Sequence, residues 1–334
     1  MKALFYKVAG SVAWHAGRGK RTAGDNLGIL MLHGVHDEHM AARSLPPGNS
    51  TPLEQFTAGM RDLLRRYQIV SLDEGLAMLS GHAPWRPRCV VLTFDDSLKC
   101  LMPTVVAWLA GMGLTATFYI STEVINQQRP YWWKRLEHAV RYAAHPSATL
   151  HFAGRATCVI NATGGTSGLA ALKKILKSLP GGDIETAVAS VVEQLGITKE
   201  GAAVTDPYAE ILSWEDVRQM GALGMTVGSH SVSHPNLTLL SPGALREELE
   251  QSRFLIEKQT GSACLHFCYP YGAESAEVRQ AARAAGYQSA VNTVAPGWNQ
   301  RGVDLFALRR FAMPAASYRV TPLLAGVAGF HGRS

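Results

Sequence analysis

Cys89-Val90-Val91-Leu92-Thr93-Phe94-Asp95-Asp96 is the stretch that decides the fold. A β-branched apolar run of this kind reads as a strand buried on both faces, the pattern of a parallel sheet covered by helices. Two adjacent carboxylates, Asp95 and Asp96, stand at its C-terminal end, which in α/β barrels is the functional face. Neighbouring carboxylates repel, so the pair calls for a cation or a shared proton. The plain alternative is that one of the two merely caps the helix that follows.

Outward from this stretch the same alternation repeats. Strand-type runs are found at Gly28–His33, Gln68–Val70, Thr115–Ile120, Met225–Ser229, Cys264–Cys268, Tyr287–Asn292 and Phe306–Phe311. Helical stretches lie between them with chemical start and stop marks. Thr51-Pro52-Leu53-Glu54 reads as a capping box with proline at the first helical position. Ser213 opens another helix, Ser241-Pro242 a long one that ends at Gly261, and Gly286 stops the next before Tyr287. Seven or eight strands alternating with helices predict an α/β fold, a distorted (β/α) barrel of about seven strands. An open doubly wound sheet is the alternative. The alternation breaks between Asn126 and Glu210, where a hairpin around Gly154-Arg155 and helices near Leu169–Leu179 and Ile184–Leu195 are expected. Because the alternation then resumes, this stretch reads as an inserted cap on the barrel.

Composition narrows the partners. The 334 residues are 47% apolar and 17% charged, ordinary for a soluble domain with a sizeable core. No apolar run reaches the roughly 18–20 residues that span a bilayer. The net charge of +6 is modest, and no basic helix face runs beside stacking aromatics, which argues against nucleic acid. Cys89, Cys100, Cys158, Cys264 and Cys268 form no metal-type pair and read as reduced thiols, which implies a cytoplasmic protein. Lys2, Lys7, Arg18, Lys20 and Arg21 all precede the first acid, Asp25. With Leu4, Phe5, Val8, Val12 and Trp14 on roughly one side, residues 1–24 could lie on an anionic membrane surface at the inner face, or equally pack on the domain or fray, since Gly10 and Gly17 weaken any helix. The division is a basic segment at 1–26, a domain at 27–315 with its insertion at about 126–210, and a tail at 316–334.

A second chemical stretch is Gly228-Ser229-His230-Ser231-Val232-Ser233-His234-Pro235. His230 again follows a strand, and two histidines four apart share a side if the segment makes one helical turn. The zinc-protease motif needs glutamate directly after the first histidine, and here Ser231 stands there. Asp96, His230 and His234 together offer one oxygen and two nitrogens, an open ligand set for one divalent metal. One carboxylate then ligates while its neighbour is free to take a proton from water.

The sequence resembles the polysaccharide deacetylases that share the NodB homology domain. Thr93-Phe94-Asp95-Asp96 matches the family's first motif, His230-Ser231-Val232-Ser233-His234 its second, and Tyr269-Pro270-Tyr271-Gly272 is similar to its third. The resemblance implies removal of N-acetyl groups from an amino-sugar carbohydrate. It assigns Asp95 as the base, Asp96, His230 and His234 as ligands, and the Tyr271 backbone N–H as a donor to the developing oxyanion. Zinc is the expected metal, with cobalt or nickel able to serve the same ligands. Many members carry an arginine two residues before the proline of the third motif, where it orients the aspartate. Here that place is Cys268, with Arg309 or Arg310 as candidates to compensate. A late leucine–histidine motif is also missing. In the poly-N-acetylglucosamine type, a histidine after the first strand supplies the acid, and His33 fits that part, with His331 a distant alternative. A non-catalytic glycan-binding relative and an iron oxygenase with two histidines and one carboxylate are the competing readings. Tyr131-Trp132-Trp133 reads mainly as core rather than sugar-stacking wall, and Glu247-Glu248 as an ordinary charged pair.

Overall fold

The computed structural model describes residues 26–43, 50–145, 147–150, 158–161, 167–179, 181–196, 208–293, 296–314 and 320–324. The basic segment 1–24, His331 and most of the tail lie outside them. The strands are β1 (Asn26–Leu32), β2 (Gly34–His36), β3 (Ser50–Pro52), β4 (Gln68–Ile69), β5 (Cys89–Phe94), β6 (Thr117–Ile120), β7 (Ser147–Leu150), β8 (Cys158–Asn161), β9 (Thr226–Ser229), β10 (His266–Cys268), β11 (Ser289–Val291), β12 (Asn299–Gln300) and β13 (Phe311–Ala312).

The main sheet runs β11-β10-β9-β6-β5-β1, every neighbouring pair parallel. Its two edges meet through the segment that follows β12. Leu308 bridges Val291 of β11 in parallel, and β13 pairs in parallel with Leu30 and Met31 of β1. The chain therefore closes a (β/α) barrel, as the alternation predicts. The expected strand Phe306–Phe311 is real but broken, one bridge to one edge and one short strand to the other. β4 adds to the start of β5, and β12 pairs antiparallel with the start of β1.

Alternation along β5 sorts the core into two layers. Val90, Leu92 and Phe94 face the outer helices, against Phe56, Met60 and Leu63 of helix Leu53–Leu64. Cys89 and Val91 face inward, where they meet Leu27, Ile29, Tyr119, Cys268, Val291 and Leu308. All six residues of β5 are buried, which is why the strand carries no polar residue before Thr93. Each fully buried large apolar side chain contributes about 1.5–3 kcal/mol. The same parity turns Asp95 inward at the end of β5 and His33 inward just past β1.

Helix ends follow the sequence with one exception. Ser213 and Asp216 form a reciprocal capping box, Ser241 caps Pro242–Thr260, and Gly261 ends that helix at φ 71°. The box expected at Thr51-Pro52-Leu53-Glu54 is absent: Pro52 holds the cap position and no side chain caps the helix. Thr51 is instead paired with Val35 in the small β2–β3 sheet, which fixes it in extended backbone. Between β6 and β9 the chain forms helix Trp132–Arg141, the antiparallel pair β7–β8, and helices Ser167–Leu176 and Gly181–Gln194, while the turn expected at Gly154-Arg155 lies outside the described residues. These bury a separate cluster around Leu136, Leu172, Leu176, Val188 and Val191. Among the described residues no helix is long and apolar enough to cross a membrane.

Candidate metal centre

The ends of β1, β5, β9 and β10 bring the sequence-predicted residues to one place. Asp96, His230 and His234 are all buried, and one ligand atom from each lies within 4.8 Å of the others. Asp96 Oδ1 is 4.0 Å from His230 Nε2 and 3.8 Å from His234 Nε2. These separations are too long for hydrogen bonds. The Asp96 carboxylate accepts no hydrogen bond among the described residues, and a buried carboxylate without a partner is costly. A cation between the three groups would resolve that cost, so the donor set fits a divalent metal.

The protonation chemistry agrees. Burial lowers the pKa of both histidines, with His230 adding to the effect at His234, so neutral imidazoles with free lone pairs are favoured. His230 Nδ1–H donates to the Cys268 carbonyl at 2.8 Å, which leaves Nε2 turned toward Asp96. The His234 ring is held differently, by Tyr131, Trp133 and Tyr271 at centroid distances of 5.4, 4.9 and 4.7 Å.

The loop between the histidines needs support because its backbone is strained. Asp96, Ser231, His234 and Tyr271 adopt φ of 68°, 69°, 61° and 59°, a region that non-glycine residues rarely occupy. Glu248, on helix Pro242–Thr260, accepts from the backbone N–H of Val232 at 2.8 Å and Ser233 at 3.0 Å, and from Ser233 Oγ at 2.6 Å. Ser229 Oγ accepts from Ser231 N–H, and Ser231 Oγ from His234 N–H. Glu248 is therefore an anchor of the histidine loop, contrary to its reading as an ordinary surface charge.

Arg310 supplies the guanidinium missing from the third motif. Its Nη1 and Nη2 donate to Asp95 Oδ1 and Oδ2 at 2.6 and 2.7 Å, with both side chains almost fully buried. Nη2 also donates to Cys268 Sγ at 3.1 Å, so the thiol leaves the room that the arginine fills. Arg309, the other candidate, is exposed. Burial works to raise the Asp95 pKa, but the Arg310 charge and its hydrogen bonds override it and hold the carboxyl well below the usual range. Asp95, His230 and Cys268 also approach one another. They do not suit a metal, because Arg310 already spans Asp95 and Cys268 and burial pushes the thiol pKa up.

His33 is half-buried and lies near both Asp95 and Asp96. Tyr271 sits edge-on to His234, and its hydroxyl accepts from Trp132 Nε1 at 3.0 Å. Gly272 follows at φ 68°, where a Cβ would meet Thr293 Oγ1 at 2.0 Å, so this turn admits only glycine. Tyr131 and Trp132 are buried as expected for core, whereas Trp133 is half-buried and lines the centre against His234. His33, Asp95, Asp96, His230, His234 and Tyr271 thus converge.

A family model described as Polysaccharide deacetylase matches residues 82–149 and 189–290. The Bacillus subtilis (strain 168) protein YxkH, whose name assigns it provisionally to the polysaccharide deacetylases, is 30% identical over 117 residues. That match covers 35% of this chain and 39% of the relative, so the chain spans about two fifths of the length of that curated protein. Among solved structures, the Streptococcus pyogenes deacetylase PplD in complex with acetate superposes with a TM-score of 0.57 at 18% identity, over 87% of this chain and 94% of its own. IcaB from Ammonifex degensii gives 0.58 at 16% identity, over 90% and 97%. At such identities the likeness is one of fold.

Proposed function

Because the chain belongs to the polysaccharide deacetylase family, we propose that it hydrolyses the N-acetyl group of an amino sugar in a polysaccharide, oligosaccharide or glycolipid, using one divalent metal. The observation that carries this reading is the conjunction of three buried metal donors with a neighbouring carboxylate clamped by Arg310. Asp96, His230 and His234 would hold the metal, zinc by default and cobalt or nickel as substitutes. When bound, the ion supplies Lewis-acid polarisation of the amide carbonyl and a water of lowered pKa.

The chain's own residues do the rest. Asp95 is kept ionised by Arg310 and so stands ready to accept the proton of the attacking water. His33, beside both carboxylates, protonates the amine as the C–N bond breaks, giving acetate and a free amino sugar. The Tyr271 backbone N–H is assigned to the oxyanion, where a fixed donor helps most in the transition state. Trp133 offers an aromatic wall for a sugar ring next to His234. Arg310 weighs against a non-catalytic relative, since it provides the guanidinium whose absence left that alternative open. The five cations before Asp25 support work at the inner face of an anionic membrane, in cell-surface or exopolysaccharide metabolism.

The test is acetate release from N-acetylated oligosaccharides by purified protein, with metal content measured alongside. Chelation should abolish release, and zinc or cobalt should restore it. Asp95→Asn should keep its metal while turnover falls about 100-fold or more, and His33→Asn should also keep metal but slow most on poor amine leaving groups. Asp96→Asn and His230→Ala should lose metal. Full turnover by the chelated protein would end the proposal.

A further inference from the structure

Lys177 follows helix Ser167–Leu176, inside the stretch between residues 149 and 189 that the family model leaves unmatched. Its Nζ lies 5.3 Å from the centroid of the Tyr271 ring. That ring is fixed at both ends: its hydroxyl accepts from Trp132 Nε1, and His234 packs against it at 88°. An ammonium and a candidate ligand histidine therefore both pack on one aromatic ring. The Lys177 charge is close enough to act on both Asp96 and His234.

A contact with a ring face locates a cation without neutralising it. Other cations of the same region are neutralised by carboxylates. Arg129 and Arg135 share Glu185, and Lys134 and Lys173 share Glu137. Lys177 has no acidic partner among the described residues, and it is exposed. With a divalent ion held by Asp96, His230 and His234, two positive centres would lie near each other and repel. A negative group of the substrate that reaches Lys177 offsets that repulsion and satisfies the free ammonium.

We propose that Lys177 is the binding site for a negatively charged substituent, a carboxylate or a phosphate, on the carbohydrate whose N-acetyl group is cleaved. The inference rests on the deacetylase reading and adds the charge class of its substrate. Trp133 and Tyr271 would carry the sugar ring while Lys177 meets its anion. Phosphate in this place would mark a sugar phosphate or lipid-linked sugar, and carboxylate a uronic or other acidic sugar.

The experiment compares acetate release from neutral N-acetylated oligosaccharides, from oligosaccharides that contain an acidic sugar, and from N-acetylated sugar phosphates. Each is given to the wild type, Lys177→Ala, Lys177→Glu and Lys177→Arg. Calorimetric binding of the same anionic sugars runs in parallel. The ratio of kcat/KM for the preferred anionic substrate over the neutral one should fall about 10-fold or more in Lys177→Ala, mostly through KM. It should fall further in Lys177→Glu and recover in Lys177→Arg. Whichever anionic arm loses more identifies the source of the charge. If wild-type protein releases acetate with no preference for either anionic arm, or the ratio is unmoved by Lys177→Ala, the inference is overturned while the deacetylase reading stands. If no substrate yields acetate but anionic sugars still bind in a Lys177-dependent way, the anion site stands and the deacetylase reading falls.

Discussion

Replacing Arg310 by methionine removes a charge from the most enclosed ion pair among the described residues while keeping much of the volume. The guanidinium side chain is 0% exposed and its Asp95 partner 4%. Besides the two bonds to Asp95, it donates to Thr93 Oγ1 at 3.0 Å and to the Asn292 carbonyl at 3.2 Å. Removing one member of such a pair leaves a buried, uncompensated charge and costs about 3–5 kcal/mol. The cost depends on pH in a definite sense. Asp95 is depressed in the folded state, so its contribution is fully present above the unfolded carboxylate pKa of about 3.9 and is lost as pH falls below that value toward the folded one. The gap between wild type and Arg310→Met should therefore be widest near neutrality and narrow below pH ~4. Urea unfolding of wild type, Arg310→Met, Asp95→Asn and the double variant, across that pH range, measures it. With both charges gone, the double variant should be clearly more stable than the sum of the singles implies. Arg310→Lys keeps a charge but not the two-pronged geometry, so it should fall between them in stability, with turnover reduced about 100-fold as Asp95 loses its orientation. A cost below ~1 kcal/mol at pH 7, or strict additivity in the double variant, would refute the reasoning.

Glu248→Gln should weaken metal affinity about 10–100-fold, the usual effect of a group that holds ligands in place, while circular dichroism stays native. Competitive metal titration measures it. At the opposite end of the barrel, Asp73 Oδ1 lies 3.1 Å from Nε2 of the buried His266, and that hydrogen bond lowers the Asp73 pKa against the effect of burial. Its stabilisation is present above about pH 3.9 and lost as pH falls below it, so Asp73→Asn should flatten the acid limb of the unfolding curve. Because the Asp73 side chain is 57% exposed, the stability change at neutral pH should stay within about 1 kcal/mol.

The candidate metal donors and Asp95 were legible because each motif is contiguous and follows a strand, and local parity alone sets which way Asp95 points. Arg309 and Arg310 could not be separated in the sequence. The closing segment makes only a bridge at Leu308 and a two-residue strand, and nothing local fixes which neighbour turns inward. Glu248 was legible in principle. Leu245, Leu249, Ser252 and Ile256 form the buried stripe of their helix, and Glu248 falls on it at three and four residues from Leu245 and Ser252. An acid on an apolar stripe signals a partner, but that partner is the backbone of a loop, which carries no side-chain pattern to match. The Thr51 box failed for the converse reason: a good local motif lost to strand pairing with a residue sixteen positions earlier. Lys177 gave no signal at all, since only the packing of helix Ser167–Leu176 beside the barrel brings it over Tyr271.

Closure of the barrel by the segment around residues 308–313 ties the site to the order in which the chain is made. Asp95 and Arg310 are 215 residues apart, so the pair forms only when the last strand docks on β1 and β11. Until then an inward-facing carboxylate has no counter-charge, and the ring has an open edge. Synthesis delivers the arginine late, and loop closure over such a distance is slow. A chain that stops short of residue 310 would have an unsealed sheet and an unpaired Asp95 carboxylate together. The guanidinium that neutralises the buried Asp95 carboxylate is thus set in place only by the strand that closes the ring.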